Sequence, residues 1–143
     1  MKIDARDYEQ AKAWFAHLLP RVFPPELIAP ETNPLSHLEQ IEIGSPGRAR
    51  QGLAMAIGDT IEMTEGWTLE RVAETDKLLA RDGLPTLTDM RIRFSKALRR
   101  VLSRGTIKND VEYYALRNAA ELAQDGGEEL WALLSAYKAQ EGR

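Results

Sequence analysis

Cysteine is missing altogether from this chain of 143 residues, which excludes disulfides and thiolate metal sites and suits a reducing compartment. Histidine is scarce. His17 and His37 stand on different segments, and neither belongs to a His-x-x-x-His or Glu-x-x-His pattern that seats a metal. His17, at the edge of an apolar helix face, is expected as a packed or surface side chain. Long apolar runs are also lacking. None approaches the roughly 18–20 residues that span a bilayer, and the stretch from Met1 to Gln10 lacks the apolar segment of a secretory signal. No membrane is therefore expected, and a cytoplasmic location is. Positive charge is not in excess: 19 basic residues against 22 acidic ones leave a net charge of −3, so the chain as a whole is not a polycation seeking nucleic acid. Strand signals stop at Ile41-Glu42-Ile43, which alternates but is too short for a sheet and is cut by Gly44.

Helix signals are present in abundance, and they come with caps. A first helix is expected after Asp4, with Ile3 and Tyr8 as a hydrophobic staple and Tyr8, Ala11, Phe15, Leu18, Leu19 and Val22 at helical spacing. Pro20 should end or kink it, and Pro24-Pro25 should stop it; one helical turn at Glu26 to Ile28 is expected beyond. Asn33-Pro34 and Ser45-Pro46 each pair an N-cap with a proline at the first helical position, predicting helices over about 34–42 and 46–65. The second should bury Ala49, Leu53, Ala56, Ile57, Ile61 and Met63. Its small residues Gly52, Ala54, Ala56 and Gly58 suggest close approach of a neighbour, within the chain or across a homodimer.

Thr68 should cap a helix to about Arg81, ended by Asp82-Gly83. Thr86 with Asp89 opens a helix over 87–104 that places Leu87, Met90, Phe94, Ala97, Leu98 and Val101 on one face and ends at Gly105. Asn109 with Glu112 opens another over about 110–124, ended by Gly126-Gly127, and Leu130, Trp131, Leu133, Leu134 and Tyr137 mark a last one over about 128–140. The fold class is therefore all-α: a compact bundle of about six substantial helices, mostly antiparallel neighbours because the connections are short, in a single domain over 1–143.

The charges are sorted by segment. From Met90 to Asn109 lie seven basic residues and no acidic one: Arg91, Arg93, Lys96, Arg99, Arg100, Arg104 and Lys108. Arg93, Lys96, Arg100 and Arg104 should form one stripe beside the apolar face. Residues 59–76 carry six acids against Arg71, and 110–129 are acidic as well. Basic residues late in a helix complement its dipole, and the acidic segments can pair with them on folding. The alternative is a docking site for an acidic protein along 90–108, with Tyr113 as the outward member of the Tyr113-Tyr114 pair.

Two other function classes are weighed against that one. Ala97 to Asn118 has the outline of a helix-turn-helix, with Val111 and Tyr114 as packing residues of its second helix. Asp110 and Glu112, however, open that second helix, where a recognition helix would meet phosphates, so DNA is not the expected partner. Enzymatic hints are limited to carboxylates: Asp59, Glu62 and Glu65 on one helix, Glu70 and Glu74 on the next. The chain resembles the all-α nucleotide pyrophosphohydrolases in Glu62-Met63-Thr64-Glu65, which implies a metal-dependent hydrolase, but Glu70-Arg71-Val72-Ala73-Glu74 departs from the spacing of their second acidic motif. Gly44-Ser45-Pro46-Gly47 is neither a nucleophile elbow nor a phosphate loop, so no catalytic residue and no cofactor is assigned. Arg104-Gly105-Thr106-Ile107 and the helix start after it resemble a helical hairpin of small bacterial proteins, some of them immunity-type partners, which implies protein binding.

Overall fold

The computed structural model describes residues 3–123 and 127–141, and over them the chain is all-α. Eight α-helices occur: α1 (Tyr8–Val22), α2 (Pro34–Gly44), α3 (Pro46–Met63), α4 (Leu69–Arg81), α5 (Leu87–Phe94), α6 (Lys96–Arg104), α7 (Asp110–Leu122) and α8 (Gly127–Glu141). A 3₁₀ helix spans Pro25–Ile28, where one helical turn is expected among the prolines. The count exceeds six for two reasons. The segment after Asn33 is a full eleven-residue helix, and the basic segment is broken in two.

The cap signals are the most direct translation of sequence into structure. Asn33 accepts from the Leu35 N–H at 2.9 Å, Ser45 from Arg48 at 3.3 Å and Thr68 from Arg71 at 3.1 Å. Thr86 accepts from Asp89 at 3.0 Å and Asn109 from Glu112 at 2.9 Å. Each satisfies an amide that has no partner inside its own helix. One expectation fails. Helix α1 begins three residues after the position expected from Asp4, because a turn closed by the Asp7 N–H on the Asp4 carbonyl precedes it. Pro20 does not end the helix, which continues to Val22: proline removes one donor near the end of the helix, and the Phe23 N–H still closes on Leu19 at 2.9 Å.

The contacts divide the chain into two compact units, Met1–Gly66 with Arg81–Leu84, and Trp67–Ala80 with Pro85–Arg143. In the first, α3 packs on both α1 and α2. Its buried apolar residues are Trp14, Phe15, Leu18 and Leu19 on α1, Leu38 on α2, and Ala49, Leu53, Ala54, Ile57 and Ile61 on α3. Met63, expected on this face, points to solvent, while Thr60 and Thr64 are buried with their hydroxyls donated to the Ala56 and Ile61 carbonyls. Lys12 of α1 meets Glu42 of α2 at 2.8 Å, and the Tyr8 hydroxyl donates to the same carboxylate. Lys12 and Tyr8 therefore hold Glu42 below the ordinary carboxylate value, and burial and Glu42 push the Tyr8 phenol above its own. His17 Nε2 lies 3.0 Å from Asp82 Oδ2, so this histidine is packed and paired within the unit.

Of the small residues of α3, Ala54 is buried in the core, but the glycines do not have the meaning expected. A Cβ added at Gly52 or Gly58 would meet nothing within 4 Å, so neither glycine makes room for a neighbouring helix of the chain. Each costs helix propensity with no packing return in the monomer. Gly52→Ala and Gly58→Ala should each stabilise the protein by about 0.5–1 kcal/mol, read as a rise in the chemical-denaturation midpoint at unchanged slope; no gain at either site would show that the open side is occupied.

In the second unit, α7 packs against α5, α6 and α8. Leu98, Val101, Ile107, Tyr113, Leu116, Ala119, Ala120, Leu130 and Leu134 make one core. The Tyr137 hydroxyl donates to Asp110 at the start of α7, and Gly127 lies beside Ala120 and Ala123 at its end, so α8 runs back along α7. Gly127 is already inside α8, and Gly126, its expected companion in ending α7, lies outside the described residues. A buried carboxylate joins α4 to α5: Asp76 accepts from the Thr88 hydroxyl at 2.6 Å and from the Thr88 N–H at 3.2 Å. It thereby places negative charge at the positive end of α5.

Candidate functional site

The basic segment is two helices with a corner between them. Ser95 adopts an extended conformation, its N–H closes α5 on Arg91 at 2.8 Å, and its hydroxyl accepts from Leu98 at 3.4 Å to open α6. Serine offers the backbone this alternative to continuing a helix. The single helix expected over 87–104 is corrected accordingly, and so is its apolar face, since Ala97 is exposed and Phe94 only partly buried. Arg93 thus belongs to α5, while Lys96, Arg100 and Arg104 share one side of α6 at intervals of four residues.

These cations do not pair with the acidic segments in the way their order along the chain suggests. Arg93, Lys96, Arg99 and Arg100 are all exposed, and among the described residues none of them makes an ion pair. The Arg99 guanidinium donates to the Arg93 carbonyl at 2.7 Å, which ties the two sides of the corner together. The Arg93 guanidinium lies 4.9 Å from the centre of the Phe94 ring. The first turn of α6 has no acidic residue, although that is where a carboxylate would favour the helix.

Arg104 has a different task. It donates from Nε to the Thr106 carbonyl at 3.0 Å and from Nη2 to Glu112, and Glu112 also accepts from the Lys108 N–H at 2.9 Å. Gly105 makes the turn possible with a left-handed φ of +78°. Arg104, Gly105, Asn109 and Glu112 therefore form one clasp between α6 and α7. Arg104 and the Lys108 amide hold the Glu112 carboxyl below its ordinary value. Of the stripe named from the sequence, Arg93, Lys96 and Arg100 are exposed without an ion pair among the described residues, and Arg104 is engaged in the fold.

The tyrosine assignment is reversed. Tyr113 is 9% exposed, stacked 5.4 Å from Tyr137 and covered by Lys138, whereas Tyr114 is 55% exposed. Tyr113 shares a helical face with Leu116 and Ala120, three and seven residues on, which is the pattern that locates it. Val111, expected to pack, is 80% exposed; Ile107 in the turn takes its place in the core. The two carboxylates that opposed a DNA-reading α7 have structural partners, Glu112 in the clasp and Asp110 on Tyr137.

Asp59, Glu62, Glu65, Glu70 and Glu74 are each exposed, and among the described residues no three His, Asp or Glu side chains come together to hold a metal ion. No described helix is long and apolar enough to cross a membrane. No protein-family model, curated protein or solved structure matches this chain.

Proposed function

We propose that this chain is a non-enzymatic protein-binding module whose docking surface is the α5–α6 corner, with Arg93, Lys96 and Arg100 presented to an acidic protein. The observation that carries this proposal is the set of four adjacent exposed cations with no carboxylate partner among the described residues. Arg99 serves the fold through the Arg93 carbonyl, but no carboxylate neutralises the four cations among the described residues. Lys96 opens α6, where the amide dipoles already concentrate positive charge, at a cost of about 0.3–1 kcal/mol. A cluster that the fold does not neutralise is complementary to an acidic surface, which it steers and orients on approach. Metal-dependent hydrolysis lacks a group of metal-ligating side chains among the described residues, and DNA binding is disfavoured by the acidic start of α7.

The test separates the docking role from a structural one. Lys96→Glu with Arg100→Glu should keep the helical circular dichroism and raise the melting temperature slightly, because a carboxylate at the start of α6 favours the helix. The same double variant should fail to retain a partner that the wild-type protein retains from the source cell at low salt, and wild-type retention should weaken as salt is added. Loss of stability in the double variant, or an undiminished partner, would show that the cations serve the fold or nothing at all.

A further inference from the structure

We infer that the α5–α6 corner receives an acidic α-helix whose carboxylates stand one turn apart. This rests on the docking role proposed above and adds the shape of the partner. Lys96 and Arg100 are separated by four residues on α6, hence by about one turn, a rise of roughly 6 Å. Carboxylates at i and i+4 of a second helix repeat that interval, so two ion pairs form in one register without distorting either backbone.

The fold disfavours the other geometries. An extended peptide that pairs its main chain needs a sheet edge, and the described residues contain no strand. An anionic bilayer surface is met by cations together with a large apolar face. The exposed side chains of α6 are Lys96, Ala97, Arg99, Arg100, Ser103 and Arg104, with no large apolar group among them. Ala97 supplies what helix packing needs instead. It is exposed about one turn before Arg100, beside it on the helix surface, and presents only a methyl group, so a partner helix can approach α6 closely next to Arg100. Its exposure is otherwise a departure from the apolar face expected for the segment.

The probes are two alanine-based helical peptides of equal length, helicity and charge. One carries glutamates at i, i+4 and i+8, and the other carries them scattered around the helix. Binding to the full chain is measured by fluorescence anisotropy at low ionic strength. The aligned peptide should bind about tenfold more tightly than the scattered one, and Lys96→Glu with Arg100→Glu should remove that binding. Ala97→Trp, at an exposed position where it leaves helicity intact, should remove most of the preference, while Ala97→Ser should retain it.

Equal binding of the two peptides, abolished by the charge reversal, would overturn the helical register and leave the docking role standing. No binding of either would overturn the helical partner, with the docking role then judged by partner retention in the double variant. Tighter binding of a duplex DNA than of the aligned peptide at the same salt would overturn both.

Discussion

Trp14→Ala should destabilise the protein by about 3–5 kcal/mol, the usual cost of emptying a tryptophan site in a packed core. Trp14 is fully buried, on the same helix as Phe15, Leu18 and Leu19, in the unit where α3 covers both α1 and α2. A loss of that size is a large share of the total stability of an ordinary domain, about 5–15 kcal/mol. It would be measured as a fall in the denaturation midpoint, followed by circular dichroism because two other tryptophans complicate fluorescence. Trp14→Phe is the informative companion. The indole N–H is buried and has no hydrogen-bond partner among the described residues, so the wild-type protein bears a desolvation cost that phenylalanine removes. The phenylalanine variant should therefore lose less than half of what alanine loses. Equal losses would mean that the N–H is satisfied or that shape alone governs the site.

The second large effect concerns Asp76. Asp76→Ala leaves the Thr88 hydroxyl and N–H buried without acceptors and should cost about 2–4 kcal/mol. Asp76→Asn keeps an acceptor oxygen for the Thr88 N–H and should cost about 1 kcal/mol or less near neutral pH. Burial raises the Asp76 carboxyl above its ordinary value of 3.8 and outweighs the hydrogen bonds from Thr88 that favour the ionised form.

The sign of the pH dependence follows from that shift. The folded state holds the Asp76 proton more tightly than the unfolded state does. Ionised Asp76 therefore subtracts stability above its folded pKa, and the subtraction disappears as the pH falls through that pKa to the ordinary value. Asparagine has no such term, so the deficit of Asp76→Asn relative to wild type should grow on acidification from about pH 7 to about pH 4. Glu42 and Glu112, held below their ordinary value of 4.5, act in the opposite direction in both proteins: their contribution is present above that value and is lost as the pH falls through their folded values. Because they are common to both chains, the difference between the two stability curves isolates Asp76. A deficit that stays constant with pH would show that this carboxylate is not perturbed.

These effects were unequally visible before folding. The cap at Asn109 can be read from four consecutive residue types, and it forms as read. The buried pair Asp76–Thr88 cannot, because its partners are twelve residues apart and on different helices. Periodicity located Leu53 and Ile57 correctly, since the core face of α3 is wide and regular. It misplaced Met63 and Ala97, each close to the end of a helix, where exposure depends on what the next segment covers. Tyr113 and Tyr114 differ by one residue, about 100° of rotation, and the buried member is set by where α8 lies rather than by either side chain. Ser95 carries a local signal of its own: a serine three residues before Leu98 is a helix start even where no glycine or proline announces it.

Helix identity was determined by the sequence alone, because capping, proline placement and apolar spacing act within a turn or two of the chain and need no distant partner. The segregation of basic from acidic segments was equally plain. Tertiary structure decided what the segregation means. It drew Arg104 onto Glu112, turned Tyr113 inward and, among the described residues, left Arg93, Lys96, Arg99 and Arg100 without carboxylates. Pairing of charges depends on which faces meet in space, and facing is a property of packed helices rather than of their order along the chain.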